Sequence, residues 1–479
     1  MTMDLAITGA LVVTMDESRG GLGIVDDGTV GVRDGEIVAV GSGPEIDASD
    51  ANRVIDASGR ALLPGFVNAH THTTHTLVRG GAQDVPEIEW MNGALGPIAR
   101  QMTSEDEVVG SRLGVCEALL SGVTTFGEYT SGVGRLVEEV YRPLGVRVAA
   151  TETINEVREE REGLGPCEPY PFERSKGERD LDRAEALFEE YGAEALVTPV
   201  YGPQALDMIS PGLLEEISAR ADERDASIHM HVAQGEREHL QIEARYGAGE
   251  STVSALSDLG LLDERLIAVH CHGATPAERE RLAEAGARYI GCPSSIAAID
   301  GITPPVAEFL SNDAPVGIGT DQAPGPGGHS FLRELRTSSL LAKTDSSDPT
   351  ALPAWTALRV GTIGGARALG LGDEIGTIEE GKRADLVLFD LGRLSVAPTV
   401  DRPLHTAIPN LLYAGGGSAV ETVLVDGEVV VEEGSVVGVD EAELVAEATE
   451  RAERVFAGAE ADWRAAGSAL VSASDEGRL

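Results

Sequence analysis

The chain has ten histidines, and six of them stand in three His-X-His pairs. His70 and His72 lie in PGFVNAHTHTTH, His229 and His231 in SIHMHVAQ, and His270 and His272 in AVHCHGA. Residues i and i+2 of a strand face the same way, so both imidazoles of such a pair can reach one metal ion. One pair alone carries little weight, because most histidines so placed are surface or structural residues. Here each pair ends a short apolar run, and Asp321 ends another, VGIGTD. Buried histidines ordinarily occur singly, so packing alone accounts poorly for this clustering.

The elements that must position these residues alternate along the chain. From about residue 61 to 375, apolar runs alternate with Ala-, Glu-, Arg- and Leu-rich stretches of helical period. Eight strands are predicted: ALLPGFVNAH, GVTTFGE, RVAATETI, ALVTPVY, SIHMHVA, LIAVHCH, ARYIGCP and VGIGTD. Eight βα repeats predict a closed (β/α)8 TIM-like barrel, whose active sites gather at the C-terminal ends of the strands. Residues 1–60 and 376–440 are rich in β-branched residues and turns. They are expected to form a small β-sandwich domain from both chain ends, leaving 61–375 as the metal-binding barrel. Residues 441–479 read as an acidic, Ala-rich helix with a polar tail. The charged segment 156–182 reads as a loop above the active face, either a lid or a solvated insertion.

Composition limits the partners. Eighty acidic residues face 37 basic ones, a formal net charge of −43 over 479 residues. Such a surface repels nucleic acid and anionic membranes, and it suits a salt-rich cytoplasm where high charge is screened. An acidic patch for a cationic partner is the alternative reading. The acid is spread through patterned segments, which argues for a folded chain. The four cysteines (Cys116, Cys167, Cys271 and Cys292) show no paired spacing, so reduced thiols and a cytoplasmic location are expected. The opening MTMDLAITGALVVTMDE carries acid early and reads as a strand rather than a signal peptide. No apolar run is long enough to span a bilayer.

LLPGFVNAHTH, GVTTFGE, HMHVA, His270–Cys271, GCPSS, GIGTD and IGTIEEGKRADLVLFD occur in this order. The sequence thereby resembles the amidohydrolase superfamily, in particular its branch of cytosine, guanine and adenosine-type deaminases and triazine chlorohydrolases. The resemblance covers nearly the whole chain. It implies His70, His72, His231 and Asp321 as ligands of one divalent metal, zinc foremost and iron second. It implies His270 as the imidazole that orients water or substrate, with His229 and His272 left to structural roles. Three neutral imidazoles and a carboxylate suit either ion and leave a position for water, whose pKa then falls from about 16 toward 7. The fourth strand has no lysine to bridge two metals, which favours one. Resemblance also implies a homo-oligomer, a dimer in the first instance.

Several positions depart from the family pattern. The deaminase branch has Glu three residues after the fifth-strand histidine; here that residue is Gln234. An amide carries no proton at neutral pH, so Gln234 is expected to hydrogen-bond the substrate ring. Glu236 or Glu238 in the same loop is the alternative proton carrier. Gln204 replaces a substrate-contacting histidine, His75 a methionine, and Ile296 an asparagine. The stretch after Asp321 becomes GPG at 325–327, followed by His329. Arg79, Trp90 and Glu334 stand where the family has them. Arg79, Trp90, Gln204, His75 and His329 are the expected substrate contacts, and Glu128, where relatives have Asp, the expected structural acid.

The function expected is metal-dependent hydrolysis of a C–N or C–Cl bond at an sp2 carbon of a heterocycle or amidine. Asp321, His270 and Gln234 would serve the small-molecule substrate. A cyclic amide or imidazolone ring hydrolase, and a metal-containing binding protein without turnover, are the alternatives.

Overall fold

The computed structural model describes residues 3–49, 51–158, 165, 167–322 and 327–479. Eight parallel strands pair in sequence order around a closed circle: Phe66–His72, Val123–Thr130, Arg147–Ile154, Val197–Pro203, Ile228–Val232, Leu266–His270, Arg288–Gly291 and Val316–Ile318. Ile318 pairs with Asn68 to close the barrel, and the short strand Asp321–Gln322 runs on beside Thr71 and His72. Each predicted strand falls on one of these. Helices intervene, and their starts follow sequence chemistry. Thr103 and Asp106 form a reciprocal cap at the start of Ser104–Leu119, as Thr275 and Glu278 do for Pro276–Glu284.

The first predicted strand, ALLPGFVNAH, divides between two sheets. Arg60–Pro64 joins the sheet of the chain ends, and Phe66–His72 enters the barrel. Gly65 sits at the division, where a Cβ would come within 2.2 Å of Thr124 Oγ1. Only a residue without a side chain lets the backbone pass that close.

The chain ends form one nine-stranded sheet, with Leu386–Asp390 antiparallel to Arg60–Pro64 at its centre. Leu5–Val13 carries a bulge between Thr8 and Ala10, so Leu5, Ile7, Ala10 and Val12 share one face. That face joins Val30, Ile37, Leu62 and Leu388 in a separate apolar core. Leu11, Val13, Leu63 and Phe389, on the other face, join the main core. The turn at Gly35 meets the approach to the central strand, where the Ala384 amide donates to the Gly35 carbonyl at 2.8 Å. The strands from both chain ends are parts of one continuous ladder.

The predicted C-terminal helix spans Glu441–Ala466 and packs on Ser104–Leu119 and Gly96–Ala99. The expected polar tail instead resumes helix at Ala469–Asp475, after a left-handed turn at Gly467. The charged loop expected at 156–182 gives way to helix at Arg174–Tyr191, while 159–164 and 166 lie outside the described residues. Among the described residues, no helix is long and apolar enough to cross a membrane.

Candidate active site

The strand ends bring His70, His72, His231, His270 and Asp321 into one cluster. Potential ligand atoms of His70, His72 and Asp321 lie within 4.8 Å of one another, as do those of His70, His231 and His270. Asp321 Oδ1 is 3.7 Å from His70 Nε2 and 3.4 Å from His72 Nε2, and none of these three buried atoms has a hydrogen-bond partner. Unpartnered buried polar atoms are costly, and a cation among them removes that cost.

The opposite edge of each imidazole is tied down. His72 Nδ1 faces the Tyr129 carbonyl at 2.5 Å, and His231 Nδ1 the Gln204 carbonyl at 2.8 Å. A carbonyl only accepts, so Nδ1 carries the proton and Nε2 keeps its lone pair toward the cluster. His70 Nδ1 lies 3.0 Å from His229 Nε2, and His229 Nδ1 lies 3.1 Å from Thr151 Oγ1. Burial, and then the neighbouring imidazoles, hold His70, His72 and His270 well below the usual histidine range. Burial brings His231 down to about 4 against the pull of the Gln204 carbonyl. Neutral imidazoles are the form that binds metal. Burial pushes Asp321 up to about 6, opposed by the Ser295 hydroxyl that donates to Oδ2 at 2.5 Å. One divalent ion, zinc, fits this donor set.

The strand ends are also where the backbone is strained. Ala233, His270, Cys271 and Asp321 all have positive φ, between 48° and 74°, a region that costs non-glycine residues free energy. Cys271 is secured there by its amide, which donates to the Val232 carbonyl at 3.0 Å.

A cavity of about 380 Å³ opens beside the cluster. Of the sequence-predicted residues, His72, His75, Trp90, Gln204, His231, Gln234, His270, Ile296 and Asp321 line it. His75 Nδ1 meets Gln322 Oε1 at 3.0 Å, and Gln204 Oε1 accepts from Asn155 Nδ2 at 2.7 Å.

Two expected substrate contacts are placed elsewhere. Arg79 pairs with Glu117 on a partly exposed surface. His329 is buried among hydroxyls, with Nε2 2.9 Å from Thr76 Oγ1 and Nδ1 3.0 Å from Thr320 Oγ1. Residues 323–326, which include most of the GPG stretch, lie outside the described residues. The alternative proton carriers are also off the cavity wall. Glu236 is exposed. Glu238 is buried behind the loop, where it accepts from the Ala233 and Gln234 amides and from Thr252 Oγ1. Glu128 is buried too and accepts from Thr73 and Tyr141. Glu334 accepts from the Ser294 amide at 2.7 Å.

Sequence reasoning missed His272, Asp300 and Arg237, all of which line the cavity. The family resemblance left His272 a structural role, but the chain turns left-handed at His270–Cys271, where the strand ends, and His272 lines the cavity. Arg237 is paired with buried Asp207 and with Glu87, the latter at 3.0 Å.

Comparison with known proteins agrees with this geometry. The amidohydrolase family model matches residues 61–430. The chain is 32% identical over 456 residues to the 5'-deoxyadenosine deaminase of Methanosarcina mazei, across 95% of this chain and 99% of that protein. It is 33% identical over 455 residues to a 5-methylthioadenosine/S-adenosylhomocysteine deaminase of Pelotomaculum thermopropionicum, across 94% and 99%. An adenosine deaminase from Xanthomonas campestris with bound zinc has the same fold, with a TM-score of 0.86 and 31% identity over 95% of this chain and 99% of that one. A zinc-complexed atrazine chlorohydrolase from Arthrobacter aurescens shares the fold at TM-score 0.82 and 23% identity, covering 94% of this chain and 100% of that one. The chain belongs to the amidohydrolase family and is a metal-dependent hydrolase of carbon–nitrogen bonds.

Proposed function

We propose that this enzyme removes the exocyclic amino group of an adenine-type nucleoside by hydrolysis. The observation that carries the reading is the convergence of neutral imidazoles and Asp321 beside a cavity whose wall also carries Gln204, Gln234 and Trp90. Full-length similarity to deaminases of 5'-modified adenosines supports the substrate class, and favours loss of an exocyclic group over opening of a cyclic amide or imidazolone ring.

In this reading His70, His72 and His231 offer Nε2, and Asp321 offers Oδ1, to one zinc ion. When bound, the ion supplies Lewis acidity that brings the pKa of water from about 16 toward 7. Asp321, steadied by Ser295, takes the proton that the attacking water releases. His270 orients that water against the ring carbon, and the charge that its addition puts on the ring nitrogen is held by the Gln234 amide. Gln234 hydrogen-bonds the ring, and Gln204 and Trp90 hold its plane. A C–O bond forms, the C–N bond breaks, and ammonia leaves with the proton that Asp321 returns. Residues 61–375 then act as the catalytic barrel, and the acidic composition favours a salt-rich cytoplasm. The resemblance supports a homodimer as the working assembly.

The test is ammonia release by zinc-loaded protein in high salt, over a panel of adenosine, 5'-deoxyadenosine, cytosine, guanine and chlorinated triazines. Turnover confined to the adenosines is expected. Turnover of a triazine or pyrimidine in their place overturns the proposed substrate class, and no turnover at all overturns the activity.

A further inference from the structure

His272 follows the strand end at His270, with ring centroids 6.1 Å apart. Its side chain is 3% exposed, and both ring nitrogens are buried without a well-formed hydrogen bond. Asp300, just past the helix Pro293–Ile299, places Oδ2 3.8 Å from His272 Nε2. Both face the Gln234–Gly235 turn: a Cβ at Gly235 would lie 3.7 Å from His272 Nε2 and 3.8 Å from Asp300 Oδ1. Both line the cavity.

The nearby cation is already engaged. Arg237 is held by Asp207 and by Glu87, and Glu87 lines the same cavity. Among the described residues, His272 is the one ion-pair partner of Asp300. Burial, and then the Glu87 and Asp321 carboxylates, push Asp300 up to about 7. This wall therefore offers a carboxylate and an imidazole side by side with little to satisfy them. A hydroxyl both donates and accepts, so it answers both groups. An anionic group placed here would meet Glu87 and Asp300, and such like-charge contact is repulsive. Because the pair follows the strand end at His270 and stands apart from the metal cluster, it meets the part of a ligand that projects away from that cluster.

We propose that His272 and Asp300 form the specificity-determining contact for an uncharged, hydroxyl-bearing arm of the substrate, and that they turn away anionic arms. The proposal rests on the reading above, in which the substrate is an aminated heterocycle.

The test uses the full, zinc-loaded enzyme and its Asp300→Asn and His272→Asn variants, with zinc content measured in each. The probes are 5'-deoxyadenosine, which carries the arm, adenine, which lacks it, and adenosine 5'-monophosphate, whose arm is anionic. For the nucleoside, KM should rise about ten-fold in either variant with kcat little changed, since a hydrogen bond to a charged group is worth at least that factor. Adenine kinetics should stay as in the wild type, and Asp300→Asn should lower KM for the monophosphate. Equal losses on nucleoside and adenine, or no change on either, overturn the proposal. Calorimetric affinities for inosine and hypoxanthine repeat the comparison without turnover. An inactive wild type overturns the proposed function, while the inosine preference, kept or abolished in the variants, still decides the role of the pair.

Discussion

His70 Nδ1 lies 3.0 Å from Nε2 of His229, and both rings are fully buried. For His70 to present a lone pair at Nε2, its Nδ1 must carry the proton and donate it to His229. His229 must then donate from Nδ1 to Thr151 Oγ1, 3.1 Å away. The two histidines come from the first and fifth barrel strands, so the relay fixes a tautomer across the barrel interior. Burial holds His229 down at about 3, which keeps it in the neutral form the relay requires.

Replacing His229 with Ala should therefore weaken metal binding without unfolding the barrel. Loss of such an outer hydrogen bond typically costs about 10–100-fold in metal affinity. Zinc retention during titration with a chelator, compared with the wild type, measures the effect. Unchanged retention would show that His70 needs no such partner.

Gln234 carries a second prediction. Its side chain lines the cavity, and its backbone amide is fixed by Glu238 at 2.8 Å. A carboxylate placed there meets the same cavity and can carry a proton where the amide cannot. Gln234→Glu should raise kcat several-fold and add an acidic limb to the pH–rate profile. An unchanged rate and profile would place Gln234 outside the proton path altogether.

The barrel was readable from the sequence because each strand is a short apolar run followed by a helix with its own start signal, as at Thr103 and Thr275. The clustering of His70, His72, His231 and Asp321 was readable because they close such runs, where a barrel puts its chemistry. The cavity role of His272 was not, since the resemblance left it a structural part and the strand ends at His270. Positive φ at His270 and Cys271 leaves no mark in residue type, and past that turn His272 lines the cavity. Asp300 follows a helix 28 residues further on and carries no local signal. Arg79 and His329 failed for a related reason. Their partners Glu117, Thr76 and Thr320 are chosen by packing, which removes both from the cavity, although Arg79 stands at a family position.

The last prediction concerns Asp106, which ties the C-terminal helix to the barrel. Its carboxylate is buried, accepts from the Thr103 amide and hydroxyl at 2.8 Å each, and pairs with Arg451 at 3.2 Å and Arg454 at 2.5 Å. Burial works against ionisation, but the Arg454, Thr103 and Arg451 contacts prevail and bring the carboxyl from 3.8 down to about 2. The unfolded chain thus takes up the proton before the folded one. The stabilisation is complete above about pH 4 and is lost as pH falls from there through about 2. Asp106→Asn should cost about 2 kcal/mol at pH 7, a value reduced from that of a fully buried pair because Arg454 is half exposed. The same helix donates Trp463 Nε1 to the Ala94 carbonyl at 2.9 Å, next to Leu95 on the cavity wall. Loosening its dock should therefore raise KM before the barrel melts. Denaturant midpoints of wild type and variant from pH 7 down to 2, in high salt, should converge at the acid end. A constant gap across that range would show that the carboxylate's charge contributes nothing to docking the helix.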